Sequence, residues 1–242
     1  MWWRSLAARI GAAARRCDEA VMPTSCVFCG IGPAASICSP CRADLPWVEH
    51  GCIRCARPLA APLPDGVYCG ECQRRPPPYS AARAPLRYAF PVDAAIKQLK
   101  FRRRLDYVPA FASVLGEAMQ ELPTGTDALA PVPLHWRRQA ARGFNQAEEL
   151  CKALSRSTGV PMLRNLRRVR PTPYQSGLHA VERRRNLHGA FAVRGAIDQR
   201  HVLVVDDVIT TGETCARLAR VLLDAGAARV SVLAIATASR TL

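Results

Sequence analysis

Two adjacent carboxylates and a run of hydroxyls around one glycine stand near the end of this chain. The segment reads Val202-Leu203-Val204-Val205-Asp206-Asp207-Val208-Ile209-Thr210-Thr211-Gly212-Glu213-Thr214. A turn that opens into a helix offers free backbone N–H groups where the helix dipole favours an anion such as phosphate. Thr210, Thr211 and Thr214 add hydroxyl donors, and Gly212 lets the backbone approach a ligand closely. Asp206 and Asp207, one step before that cradle, suit the vicinal hydroxyls of a ribose. Glu213 brings a carboxylate beside the phosphate loop; in a first helical turn it favours the dipole, and it is expected to point outward. The chemistry expected here is a ribose 5-phosphate site, at the carboxyl end of a strand, where open α/β sheets put their ligands.

A second chemistry belongs to the front of the chain. Nine of the eleven cysteines lie before residue 73, and eight of them form Cys-x-x-Cys pairs: Cys26/Cys29, Cys38/Cys41, Cys52/Cys55 and Cys69/Cys72. Two residues between thiolates let one tight turn present both sulfurs to one metal, and two such turns complete a tetrahedron. Sequential pairing gives one zinc site from Cys26, Cys29, Cys38 and Cys41 and another from Cys52, Cys55, Cys69 and Cys72; interleaved pairing stays open. Disulfides and an iron–sulfur cluster are the alternatives, but repeated Cys-x-x-Cys pairs favour structural zinc. Metal ligation would stabilise a module too poor in large apolar side chains to build its own core. Cys17, Cys151 and Cys215 are left over as packing residues.

The elements that must position these groups follow from hydrophobic patterning. Val202 to Val205 reads as a strand buried on both faces, with the acids where it leaves the core, and Cys215, Leu218, Val221 and Leu222 continue as a helix. Upstream, Arg83 to Phe90 reads as a strand, and Ala94, Ala95, Ile96, Leu99 and Phe101 as a helical face. Phe111 to Leu122 is a second helix stopped by Pro123. Ala128 to Pro133 reads as a strand running into a loop from Leu134 to Gln146, followed by a helix carrying Ala147, Leu150, Cys151 and Leu154. Strand–loop–helix repetition predicts an α/β fold.

Three parts are expected. Residues 1–25, Ala- and Arg-rich, read as an N-terminal helix, residues 26–75 as the cysteine module, and residues 80–242 as the α/β domain. Arg74-Arg75-Pro76-Pro77-Pro78-Tyr79 reads as a stiff linker. The net charge of +15 rests almost wholly on arginine, with three lysines in the chain. It favours anionic partners without choosing among them. The sequence holds no apolar run long enough to span a membrane, and arginines break the opening stretch as they would not in a secretory signal, so a cytoplasmic protein is expected.

The acid pair with its Thr-Thr-Gly loop resembles the signature of type I phosphoribosyltransferases, which bind 5-phosphoribosyl-1-pyrophosphate (PRPP). The resemblance implies that Asp206 and Asp207 hold the ribose hydroxyls and that Thr210, Thr211, Gly212, Glu213 and Thr214 hold the 5-phosphate. Displacing pyrophosphate from the ribose carbon leaves negative charge on the leaving group, which arginine and Mg²⁺ suit. Arg137, Arg138 and Arg142, just past a strand end, are the expected pyrophosphate contacts, with His135 a further donor or a structural histidine. A turn-rich basic segment from Arg170 to Asn186 reads as a lid over the substrate or as a solvated loop.

Further motifs sharpen the resemblance: Pro131-Val132-Pro133-Leu134-His135, Arg142-Gly143-Phe144-Asn145-Gln146 and the Gln175…Leu178…Arg183…Asn186…Gly189-Ala190-Phe191 run, all behind paired knuckles. Together they resemble the ComF family, which joins a double zinc ribbon to a type I phosphoribosyltransferase-like parallel sheet flanked by helices and includes proteins of natural competence and DNA uptake. The resemblance implies Mg²⁺-dependent phosphoribosyl transfer to an unidentified acceptor. The alternative is a PRPP sensor or scaffold whose ribbon meets single-stranded DNA or a competence helicase, with Trp47 and Tyr68 among arginines as a stacking surface. Ala56 departs from the pattern, since such knuckles usually carry glycine there; if the position needs positive φ, alanine strains the second site.

Overall fold

The computed structural model describes residues 25–32, 36–169, 189–198 and 201–238. The side chains of Arg137, Arg138 and Ala141 lie outside that description, as do the expected N-terminal helix and the expected lid from Arg170 to Asn186. Two compact units divide the chain, one ending at Leu45 and the other beginning at Pro46.

In the smaller unit a short helix, α1 (Ser39–Ala43), starts directly after Cys38, with a proline in its first turn. There the missing N–H of proline costs nothing, because that donor has no intrahelical partner.

The larger unit is built on a parallel sheet. Its centre is two long apolar strands, β6 (His201–Ile209) and β7 (Arg229–Thr237), paired in parallel from His201↔Arg229 to Ile209↔Thr237. On the outer side of β7 lie two short strands, β1 (Ala81–Arg83) and β2 (Leu86–Arg87). The expected single strand from Arg83 to Phe90 is therefore broken, with Ala84 and Pro85 between the two pieces. On the outer side of β6 lies β3 (Ala128–Pro131), in register from Ala128↔Val202 to Pro131↔Val205. One further bond, Val132 N–H to the Val205 carbonyl at 2.9 Å, extends that pairing before Pro133, which has no N–H to give. From Asp206 onward β6 is paired to β7 alone among the described residues.

Helices cover both faces of this sheet. α7 (Glu213–Asp224) buries Cys215, Leu218, Ala219 and Leu222, one stripe at helical spacing. Leu218 and Leu222 pack with Val202, Val204, Val230 and Val232. The alternate residues Leu203, Val205, Leu233 and Ile235 are equally buried, so the opposite face is covered as well. That cover includes α4 (Tyr107–Met119) and α6 (Gln146–Thr158), which touch each other and the strands. α3 (Val92–Arg102) precedes them and buries Val92, Ala95, Ile96 and Leu99. Two more elements were not anticipated. The stretch expected as a loop before α6 contains a helix, α5 (Trp136–Arg142), and an antiparallel ribbon joins β4 (Leu166–Arg168) to β5 (Phe191–Val193).

The second cysteine group, with α2 (Gly70–Arg74), belongs to the larger unit. The proline run lies inside that unit rather than between two bodies. Arg54 donates to the Pro77 carbonyl at 3.0 Å, the Ala82 N–H donates to the Ile53 carbonyl at 2.9 Å, and Tyr79 is buried in the same core cluster as Ala56.

Candidate functional site

Asp206 and Asp207 sit on β6 just past the point where β3 stops, which opens a cleft beside them. The acids do not mark the end of the strand, as the sequence suggested, because the ladder with β7 continues to Ile209. Asp206 turns its carboxylate back to accept the Asp207 N–H at 2.8 Å. Burial, and then the charge of Asp207, lift the Asp206 carboxyl to about 7. The Asp207 carboxylate accepts from the Lys100 ammonium at 2.8 Å. A cavity of about 280 Å³ opens in front of the pair, and both acids line it.

The Thr-Thr-Gly loop forms the cavity's next wall through Thr210, Gly212 and Thr214. Gly212 caps α7 with φ 73°, the left-handed region that favours glycine. A Cβ placed there would also meet the Tyr79 hydroxyl at 3.1 Å. Thr211 is exposed. Glu213 is held by Arg217 one turn on, at 2.8 Å, along its own helix.

Across the cavity stand Arg142, Asn145 and Gln146. Arg142, in the last turn of α5, stacks its guanidinium over the Phe101 ring at 5.2 Å. Asn145 caps α6, accepting from the Ala147 N–H at 3.1 Å while donating to the Val132 carbonyl at 3.0 Å. That double bond fixes the backbone so that Gln146 is buried, 1% exposed, yet lines the cavity. Its Nε2 has no hydrogen-bond partner among the described residues. A buried amide donor without a partner costs free energy unless a ligand supplies the acceptor. His135 is buried at 4% exposure, with its ring 5.6 Å from that of Trp136.

Two cavity residues lie outside every motif read from the sequence: Lys100 and Arg168. Arg168, on β4, lies over the Phe191 ring at 5.5 Å, and its charge opposes the upward shift of Asp206. Lys100 carried one signal, a lysine one helical turn after buried Ile96 in a chain whose cations are nearly all arginine. Of the two aromatic residues read as a stacking surface, Tyr68 has a cation over its ring and Trp47 is half-buried. Trp47 bridges to Leu86 through its backbone, and Arg54 covers the Tyr68 ring at 5.6 Å.

The cysteines gather sequentially, Cys26, Cys29, Cys38 and Cys41 in the smaller unit and Cys52, Cys55, Cys69 and Cys72 in the larger. Four sulfurs about 2.3 Å from the centre of a tetrahedron stand about 3.8 Å apart. The Cys29–Cys38 sulfurs are 3.8 Å apart and the Cys55–Cys69 sulfurs 3.7 Å, far beyond a disulfide. The Cys38 N–H points at the Cys26 sulfur and the Cys69 N–H at the Cys52 sulfur, each at 3.4 Å, as befits thiolates. The donor sets fit two closed structural zinc sites. Ala56, after the third knuckle, has φ 60°, so the strain expected of alanine there is present.

One further pairing mimics catalytic chemistry. At the opposite end of β6, His201 Nε2 lies 2.9 Å from the Ser231 hydroxyl. Its Nδ1 faces the Arg229 guanidinium at 3.2 Å, and burial and then that charge hold the imidazole below its ordinary range. A cation stands where a nucleophile's base needs an orienting carboxylate.

Residues 18–73 match the family of the double zinc ribbon domain. The chain is 37% identical to the DNA utilization protein YhgH of Salmonella typhimurium, over 87% of this chain and 96% of the relative. It is 32% identical to Competence protein F of Haemophilus influenzae, over 84% and 90% respectively. Among solved structures, it is similar to a glutamine PRPP amidotransferase from B. subtilis (22% identity, 53% of this chain and 26% of that one, TM-score 0.36). Another is a purine phosphoribosyltransferase from Pyrococcus horikoshii (17% identity, 57% and 86%, TM-score 0.31).

Proposed function

The chain belongs to the ComF family, and from that premise we propose that its larger unit binds PRPP with Mg²⁺ and transfers the phosphoribosyl group to an acceptor. The observation that carries the reading is one cavity lined at once by an acid pair, a glycine-hinged hydroxyl loop, Arg142 and the unpartnered amide of Gln146. Asp206 and Asp207 accept from the ribose hydroxyls. The N–H groups after Gly212, with Thr210, Thr211 and Thr214, hold the 5-phosphate. Arg142, with Arg137 and Arg138 on the same helix, neutralises the pyrophosphate as the bond to the ribose carbon breaks, and Gln146 donates to a ligand oxygen. Carboxylate oxygens are the hard donors Mg²⁺ prefers, so Asp206 and Asp207 fit that ion, which would supply charge neutralisation to the leaving group. The two zinc sites, closed by protein thiolates, serve the fold.

Calorimetry with PRPP in Mg²⁺, followed by an assay for pyrophosphate release with purine, pyrimidine and hydroxyl acceptors, tests the reading. Absence of PRPP binding overturns it. A second reading keeps PRPP binding without transfer, in a protein that handles DNA, and the names of the relatives favour it: one is a DNA utilization protein and another a competence protein. Binding of PRPP without pyrophosphate release to any acceptor selects that second reading. Among the described residues no helix is long and apolar enough to cross a membrane.

A further inference from the structure

Lys100 closes the acid end of the cavity from outside the motif that carries the acids. It lies in the last turn of α3, where a cation also suits the helix dipole. Two cations that flank it in sequence are engaged locally: Lys97 with Asp93 at 2.7 Å on the same helix, and Arg104 with Asp106 at 2.6 Å. Lys100 instead reaches across to β6 and meets Asp207, with side chains only 21% and 13% exposed. The next residue, Phe101, lies under the Arg142 guanidinium on the cavity's other side. The end of α3 therefore touches both the anionic and the cationic parts of one site, the site into which buried Gln146 presents its unpartnered donor.

We infer that Lys100 is a resident counter-cation that keeps divalent metal off Asp207 until a phosphorylated ligand arrives. A carboxylate that already accepts from an ammonium at 2.8 Å is a poorer ligand for a divalent ion, and the two cations repel each other at that distance. When a ligand brings phosphates, the ammonium gains new anions within the same cavity, and Asp207 is released to the ribose and its metal. Metal and substrate then enter together. The inference rests on the proposed role of Asp206 and Asp207, but its test uses no phosphorylated ligand.

The probe is Mn²⁺ alone, titrated into the zinc-loaded full chain at pH 8 and followed by electron paramagnetic resonance. Lys100→Met and Lys100→Gln should each bind Mn²⁺ about tenfold more tightly than the wild type. Lys100→Arg, which keeps the charge, should stay at the wild-type level. Adding Asp207→Asn to Lys100→Met should abolish the gain. Unchanged Mn²⁺ affinity in both neutral variants overturns the inference, as does a gain that survives loss of Asp207. A chain that fails to bind PRPP removes the proposed function and leaves this measurement interpretable.

Discussion

The Tyr79 hydroxyl stands 3.1 Å from the position a Cβ on Gly212 would take, so a residue from the proline run limits what the Thr-Thr-Gly loop can carry. Gly212→Ala meets two obstacles: a left-handed φ of 73°, costing alanine about 1–2 kcal/mol, and the tyrosine oxygen. We expect ribose 5-phosphate affinity to fall about tenfold or more by calorimetry, since 1.4 kcal/mol is a factor of ten. Tyr79→Phe in that background should recover part of the loss by removing the blocking oxygen. Equal affinity in wild type and Gly212→Ala would contradict this picture of the loop.

Burial raises the Asp206 carboxyl to about 7, and this gives the acid a readable pH signature. Between an ordinary carboxylate value and 7, the folded chain holds a proton that the unfolded chain has released. Stability from this group is therefore present at low pH and lost as pH rises through 7. Ligand binding needs the ionised acceptor and runs the opposite way, strengthening from pH 6 to pH 8. Asp206→Asn should flatten the first trend in thermal melts, raise the melting temperature at pH 8, and weaken PRPP binding roughly ten- to a hundredfold. Asp207→Asn should weaken PRPP binding to a similar degree.

Arg142→Ala should leave ribose 5-phosphate binding nearly unchanged and impair PRPP, because only PRPP carries the pyrophosphate that this guanidinium would meet. Phe101→Ala should produce a smaller version of the same split, since the ring supports the guanidinium at 5.2 Å. Calorimetry with both ligands on both variants makes the comparison. Equal losses for the two ligands would place the arginine elsewhere.

Elemental analysis should find close to two zinc equivalents per chain, falling to one in Cys26→Ser or Cys52→Ser. The two losses should differ in reach. Cys26 belongs to the smaller unit, so its replacement should spare the melting of the larger one. Cys52 should destabilise the larger unit, because Ile53 and Arg54 bond directly to Ala82 and Pro77. Identical melts for the two variants would refute that distinction.

DNA binding, if the second reading holds, should be electrostatic and weakly selective for sequence, given a net charge of +15 and no recognisable reader helix. Affinity measured by fluorescence anisotropy should fall steeply between about 50 and 200 mM salt. A salt-insensitive, sequence-specific footprint would rule it out.

Much of the site was legible because its groups are close in sequence. Asp206 to Thr214 forms one strand–turn–helix segment, and the Cys-x-x-Cys spacing marks each knuckle, while the fold decides which knuckles pair. Lys100 and Arg168 were not legible, because nothing local ties a helix end or a short ribbon to β6; only the packed fold brings them into the cavity. α5 was missed because a helix of one basic patch, Trp136–Arg142, shows no apolar stripe to read. The proline run reads as a linker on composition, whereas Tyr79 at its end is a core residue at 2% exposure. Composition reports stiffness and says nothing about what a stiff segment leans on.

The early stop of β3 leaves the Asp206–Ile209 stretch of β6 without a strand partner on that side among the described residues, the kind of edge that can recruit foreign chains into aggregates. Two carboxylates stand on that flank, and one of them already occupies the Asp207 N–H that an intruding strand would need. The acid pair should therefore also oppose sheet extension. Neutralising both acids at once should cost solubility in addition to binding, whereas filling the cavity with a bound anion should protect the edge that the prolines expose.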